Sequence, residues 1–169
     1  MAIRINDFKE REYICSLQKS LNSDNVLAIL CVCFAIPDIF SKRSNFYDVS
    51  KSRKNNYINW FNKYVKKYYE FPVAGGFDNV LTLNGELFYK LRCSFLHSGN
   101  TVLELKNYDD KNQFPNCVEF LINDIFKKIK YNMTDVFEYN GKTFTKIVID
   151  VNDLGEKMMY ALEDFISDC

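Results

Sequence analysis

Histidine is nearly absent from this 169-residue chain: His97 is the only imidazole. Six cysteines are present, Cys15, Cys31, Cys33, Cys93, Cys117 and Cys169, but none forms a CxxC pair. A zinc centre would therefore need almost all-thiolate ligation drawn from scattered positions, and no metal or other cofactor is expected. Net charge is also missing, with 22 Lys and Arg against 22 Asp and Glu. This excludes a polycation that would coat nucleic acid indiscriminately. The longest apolar run, residues 26–36, falls well short of the roughly 20 residues a bilayer-spanning helix needs. The opening stretch, MAIRINDFKEREY, is charged and amphipathic and lacks the apolar core of a secretory signal. These absences point to a cytoplasmic protein with no membrane partner, whose reduced thiols serve mostly as small hydrophobes. Cys93 and Ser94 share a short segment with His97 but give no nucleophile–base arrangement on it, which argues against a cysteine or serine hydrolase. Acidic pairs such as Asp109-Asp110 and Glu163-Asp164 read as solvated surface.

What the chain does contain is apolar and aromatic. It is 47% hydrophobic, 16% aromatic and 26% charged, the balance of a globular protein whose core is built largely from rings. The charge is unevenly spread. Residues 1–72 carry 12 basic and 7 acidic side chains, whereas residues 73–169 carry 10 and 15. Within residues 42–67, Lys42, Arg43, Lys51, Arg53, Lys54, Lys63, Lys66 and Lys67 face only Asp48. Phe46, Tyr47, Tyr57, Trp60, Phe61 and Tyr64 are interleaved with them. Basic groups alternating with aromatics suit a phosphate backbone and its bases, which makes Lys54, Lys63 and Lys67 candidate RNA-binding residues. The same pattern also fits a solvated face whose lysine stems lie over an aromatic core.

In chain order, residues 3–20 repeat apolar positions at helical spacing through Ile3, Ile5, Phe8, Tyr13, Ile14 and Leu17. Ser23 and Asp24 offer caps for a second helix. It is apolar on nearly all sides over residues 26–36, so it is expected at the centre of a bundle and is expected to break at Pro37. A third helix is expected over residues 55–69, ended by Pro72 and Gly75-Gly76, and a fourth over residues 84–99. Beyond residue 100 the pattern changes to short β-type runs at 101–105 and 117–122. Residues 129–139 and 142–151 flank Asn140-Gly141, a strong hairpin signal. A last helix, from residue 152 or 153, carries Leu154, Met158, Leu162, Phe165 and Ile166 on one face. With no repeat or linker, the expectation is one mainly α domain. It comprises a helical bundle over residues 1–99, a small antiparallel β appendage over 100–151 and a closing helix over 152–169.

The fourth helix, NGELFYKLRCSFLHSG, holds the only arrangement suited to chemistry. Asn84 is a plausible N-cap, Glu86 falls in the first turn, and Gly99 suits the residue just past the end. At about 100° per residue, Leu87, Leu91, Phe95 and Phe88 fill one arc and form a core stripe. Relative to Leu87, Arg92 falls near about 140° and His97 near about 280°, with Leu96, Tyr89 and Cys93 between them. The pair therefore borders a semi-apolar face that needs a cover, either the C-terminal region or a second subunit. Arginine offers a permanent forked cation for a phosphoryl group, and an imidazole near a helix C-terminus is placed to move protons. Together they are a minimal kit for metal-free RNA cleavage, in which a base activates the ribose 2′-OH, the cation steadies the phosphorane and an acid protonates the leaving 5′ oxygen. The plainer alternative has Arg92 tying down a neighbouring carboxylate and His97 merely finishing a helix.

Arg92-Cys93-Ser94-Phe95-Leu96-His97, within LFYKLRCSFLHSG, resembles the Arg-x(4–6)-His motif of HEPN domains. The resemblance covers residues 84–99. It implies a HEPN-like helical bundle, and many members of that superfamily are metal-independent endoribonucleases of toxin–antitoxin, phage-defence and RNA-processing systems. It assigns Arg92 and His97 as catalytic. It further implies a homodimer in which two motif helices form one composite site, with Tyr89, Cys93 and Leu96 at the dimer interface, and a cognate antitoxin as a further partner. The position after the arginine, commonly Asn, Asp or His in active members, is Cys93 here. The rival function is a non-catalytic, regulatory binding module with the same fold.

Overall fold

A computed structural model describes residues 7–43, 47–72, 80–104, 117–121, 133–139 and 142–168. Ile3, Ile5, Phe46, Gly75-Gly76, Asp109-Asp110, Asn140-Gly141 and Cys169, together with residues 105, 122 and 129–132 of the expected strands, lie outside them. The described chain is mainly helical. Five helices, α1 (Asp7–Asn22), α2 (Val26–Phe40), α3 (Arg53–Tyr64), α4 (Gly85–Ser98) and α5 (Val151–Asp168), are joined by six short strands and one 3₁₀ turn, Lys66–Tyr68.

Helix α2 differs from expectation at both ends. Its N-cap is Asn25, whose side chain accepts from the Ala28 N–H, rather than Ser23 or Asp24. It then runs through Pro37 to Phe40. A proline inside a helix forfeits one backbone bond and crowds the preceding turn. Here Ile36, Pro37 and Phe40 are all buried, so packing of the last turn outweighs that cost. The Ser41 N–H still closes on the Pro37 carbonyl. One side of α2 remains open, since Leu27 is 64% exposed and Cys31 is exposed.

Helix α3 begins at the Ser52 cap, which accepts from the Asn55 N–H. Buried Asn56 donates to the carbonyls of Asp48, Lys51 and Ser52 and accepts from the Asp48 N–H, which fixes the basic loop ahead of the helix. The α-helix stops at Tyr64, earlier than the apolar spacing suggests. The Tyr69 carbonyl accepts from the Leu83 N–H, drawing the chain into an antiparallel pair between β1 (Glu70–Pro72) and β2 (Val80–Thr82). That pairing competes successfully with continued helix.

The second sheet has strand order β3-β4-β6-β5, from β3 (Val102–Glu104), β4 (Cys117–Leu121), β5 (Met133–Tyr139) and β6 (Lys142–Asp150). β5 and β6 pair antiparallel with Tyr139 opposite Lys142, the register of a two-residue hairpin connection. β4 and β6 are parallel, so β6 lies between its two neighbours as an inner strand. Val118, Phe120, Ile147 and Ile149 are buried at period-two spacing on one face of the sheet. The Phe120 ring meets Phe34 of α2 edge-on at 5.8 Å, seating the sheet on the bundle.

Buried Asp150 ends β6 and caps α5 by accepting from the Asp153 N–H at 2.9 Å. α5 returns to the bundle and packs on α1, α2 and α3, burying Leu154, Met158, Leu162 and Phe165. Two ring clusters result. One centres on Phe88, stacked on Phe61 at 4.4 Å and beside Phe34 at 5.0 Å; the other on Phe165, against Phe40, Trp60 and Tyr64.

Candidate functional site

Helix α4 is fixed at both ends, and this sets where its side chains point. The Asn84 side chain accepts from the Leu87 N–H at 3.0 Å. At the other end Gly99 adopts φ +69°, and its N–H closes on the Phe95 carbonyl at 2.8 Å. The first turn lies directly on α3. The Gly85 N–H donates to the Asn62 side chain at 2.8 Å, and a β-carbon on Gly85 would sit 2.5 Å from the Ile58 carbonyl oxygen. Leu87, Phe88, Leu91 and Phe95 are buried, which fixes the rotation of the helix about its axis.

Arg92 consequently lies in a niche between α2, α3 and α4. Its side chain is 25% exposed. The guanidinium carbon stands 5.8 Å from the Tyr57 ring centre and 5.7 Å from that of Tyr89. A terminal nitrogen is 3.7 Å from a carboxylate oxygen of Asp38, an ion contact beyond hydrogen-bond range. Arg92 Nε is buried without a hydrogen-bond partner among the described residues. Tyr57 is 1% exposed, and its hydroxyl donates to the Phe34 carbonyl at 3.4 Å. Burial holds the Tyr57 phenol well above its ordinary pKa, against the pull of the Arg92 charge. Burial likewise raises Tyr89, helped by its hydrogen bond with Cys93.

His97 is exposed in the last turn of α4, next to Leu96, which is 52% exposed. It makes no hydrogen bond or ion pair among the described residues. Arg92 and His97 are thus differently housed, one half-desolvated among rings and one in water. Tyr89 and Cys93 are half-buried, with Tyr89 meeting Tyr57 edge-on at 5.2 Å.

The three lysines singled out from the basic segment fall on two sides of α3. Lys54 lies beside α4, its Nζ 3.9 Å from Glu86 and 5.7 Å from the Tyr89 ring centre. Lys63 and Lys67 face α5, at 2.8 Å from Asp168 and 2.5 Å from Asp164. These hydrogen bonds hold both ammonium groups above their ordinary pKa, and the Lys63 contact lowers Asp168. The structure therefore brings Lys54 together with Arg92 around Tyr89, and places Lys63 and Lys67 against the closing helix.

A carboxylate beside Arg92 was anticipated only in general terms, and neither Asp38 nor Tyr57 was singled out. Asp38 follows Pro37, where helix α2 was expected to have ended, and Tyr57 carries no signal beyond its place in an aromatic stripe. Among the described residues no group of three His, Cys, Asp or Glu side chains could hold a metal ion. Among the described residues Cys15, Cys31, Cys33 and Cys93 are unpaired, and burial pushes the Cys33 thiol far up. Among the described residues no helix is long and apolar enough to cross a membrane. A scan of protein-family models, a search of curated proteins and a search of solved structures each find no match to the chain.

Proposed function

We propose that this protein is a metal-independent endoribonuclease of the HEPN type, acting as a homodimer through Arg92 and His97. The observation that carries the reading is the unequal setting of the two groups on one rigid helix. Arg92 is held among rings in a partly dry niche, where a cation interacts strongly with an incoming phosphate. His97 stands in water in the last turn, about 140° further round the helix, free to exchange protons. Five residues of helix, about 7.5 Å of rise, separate them, and in this reading a second copy brings its own pair to the phosphate as the complementary half.

In this reading a histidine draws the proton from a ribose 2′-OH, Arg92 steadies the phosphorane and an imidazolium protonates the departing 5′ oxygen. The products carry 2′,3′-cyclic phosphate and 5′-OH ends. The setting implied is defence against phage or a toxin–antitoxin pair, with an antitoxin as the restraining partner. Incubation of a single-stranded RNA with the protein in EDTA tests the chemistry. Cleavage to those end groups is expected, and a 2′-deoxy substitution at the cut site should abolish it. Products with 5′-phosphate ends would overturn the mechanism.

A second reading, a non-catalytic binding module, draws on the Asp38 contact. With the Tyr57–Tyr89 ring pair beside it and Asp38 at 3.7 Å, Arg92 already ties α4 to α2 and has a structural use without any substrate.

A further inference from the structure

The basic segment that looks continuous in sequence is divided in space, and its two parts differ in charge balance. On the α5 side, Lys63 and Lys67 sit within hydrogen-bond reach of Asp168 and Asp164, so their charges are matched locally. On the α4 side, Lys54 and Lys90 share the single carboxylate of Glu86, each at the looser distance of 3.9 Å. All three of these side chains are about half exposed, open to exchange one partner for another. Arg92 adds a further cation here, offset among the described residues only by Asp38 at 3.7 Å, which also lies 3.8 Å from Lys42. Among the described residues the α4 side therefore keeps an uncompensated positive charge, whereas the Lys63–Lys67 edge does not.

Tyr89 organises the α4 side. Lys54 Nζ and the Arg92 guanidinium carbon each lie 5.7 Å from the centre of its ring. The two cations are therefore at most twice that distance apart, a span that one or two internucleotide steps of an extended strand cover. We infer that Lys54 is a backbone-binding residue of the RNA site, holding a phosphate one or two nucleotides from the one at Arg92, with Tyr89 as the spacer between them. Lys63 and Lys67 then belong to the α3–α5 contact and not to the RNA groove. The inference rests on the endoribonuclease reading for its ligand, single-stranded RNA, and assigns the direction in which that strand leaves the motif helix: across the α3–α4 junction.

Each lysine–phosphate contact on a single strand contributes about 0.7 to the slope of log affinity against log salt. A fluorescein-labelled 2′-O-methyl oligouridylate binds without being cut, because its 2′ oxygen cannot attack. Its affinity is measured by anisotropy at several salt concentrations for the wild type, Lys54→Ala, Lys63→Ala and Lys67→Ala, with each variant's thermal unfolding recorded alongside. Lys54→Ala should weaken binding and reduce the salt slope by ~0.7, with Tm little changed. Lys63→Ala and Lys67→Ala should lower Tm and leave the slope alone. An unchanged slope in Lys54→Ala, a reduced slope in the other two, or no binding by the wild type overturns the assignment. Cleavage of ordinary RNA by the same proteins separates the two claims. Salt-dependent binding through Lys54 without any cleavage removes the nuclease reading alone. Cleavage with unaltered kinetics in Lys54→Ala removes this inference alone.

Discussion

The Arg92 guanidinium lies beside a pair of phenol rings in surroundings drier than bulk water, and this sets it apart from the solvated lysines nearby. Its ion contact with Asp38 is long and partly exposed, worth at most about 1 kcal/mol, so little opposes a phosphate that competes for the same cation. The lysines on the other side of α3 are set differently. The hydrogen bond from Lys63 depresses Asp168 below its ordinary 3.8 and raises Lys63 above its ordinary 10.5. A depressed acid contributes stability that is fully present above 3.8 and is lost as pH falls through its lower folded-state value. The raised lysine contributes below 10.5 and loses its share as pH rises through its higher folded-state value. Thermal unfolding followed across pH should therefore show this contact intact through the neutral range and weakened at both extremes. Lys63→Ala should lower Tm at neutral pH and converge with the wild type at low pH; a difference that persists undiminished in strong acid would show that the contact does not work through this pair.

At the scale of the element, α4 was the most legible part of the chain. Its cap, first-turn acid, core stripe and terminal glycine are all short-range signals, and each is where the spacing placed it: Asn84, Glu86, Leu87 with Leu91, and Gly99. Its contact with α3 was not legible. Nothing in the local pattern distinguishes Gly85 from an ordinary first-turn residue, yet its missing side chain lets the helix start against the Ile58 backbone. Gly85→Ala would press a methyl group to 2.5 Å from a carbonyl oxygen that cannot swing aside. Destabilisation of about 1–3 kcal/mol is expected in urea unfolding, with RNA cleavage falling further than stability because α4 carries both motif residues. A variant as stable and active as the wild type would remove the claim that this contact positions the helix. Helix α2 failed to break at Pro37 for the converse reason: burial of Ile36 and Phe40 is tertiary, and it overrode a local rule.

Over the whole molecule, the mainly helical class and the closing C-terminal helix were readable, and a small antiparallel sheet is present, but that pair, β1 with β2, lies between α3 and α4, inside the stretch expected to be helical bundle. The joining of the strands was less so. Periodicity identifies a strand and its buried face, but neither its neighbours nor the parallel pairing of β4 with β6, which depends on contacts far apart in sequence. The same limit applies between molecules. Tyr89, Cys93 and Leu96 were proposed as the surface that meets a second copy, and Leu96 is the large apolar side chain most exposed among them. A carboxylate there would be desolvated on dimerisation at a cost of several kcal/mol, while in the monomer it would simply face water. Leu96→Glu should shift the sedimentation of the protein from dimer to monomer and abolish RNA cleavage, with the helical circular-dichroism signal kept and Tm lowered only by the lost association. A monomeric wild type that cleaves RNA would contradict the composite site.

The central claim is that Arg92 and His97 perform the reaction. It is tested most directly by single-turnover cleavage of one RNA in EDTA by the wild type, Arg92→Ala, Arg92→Lys and His97→Ala, each verified as folded. The account predicts cleavage by the wild type and losses of about 10²–10³-fold for Arg92→Ala and about 10²–10⁴-fold for His97→Ala. Arg92→Lys should recover only part of the loss, because an ammonium cannot reproduce the planar fork. Equal rates for all four proteins, whether high or negligible, would contradict it.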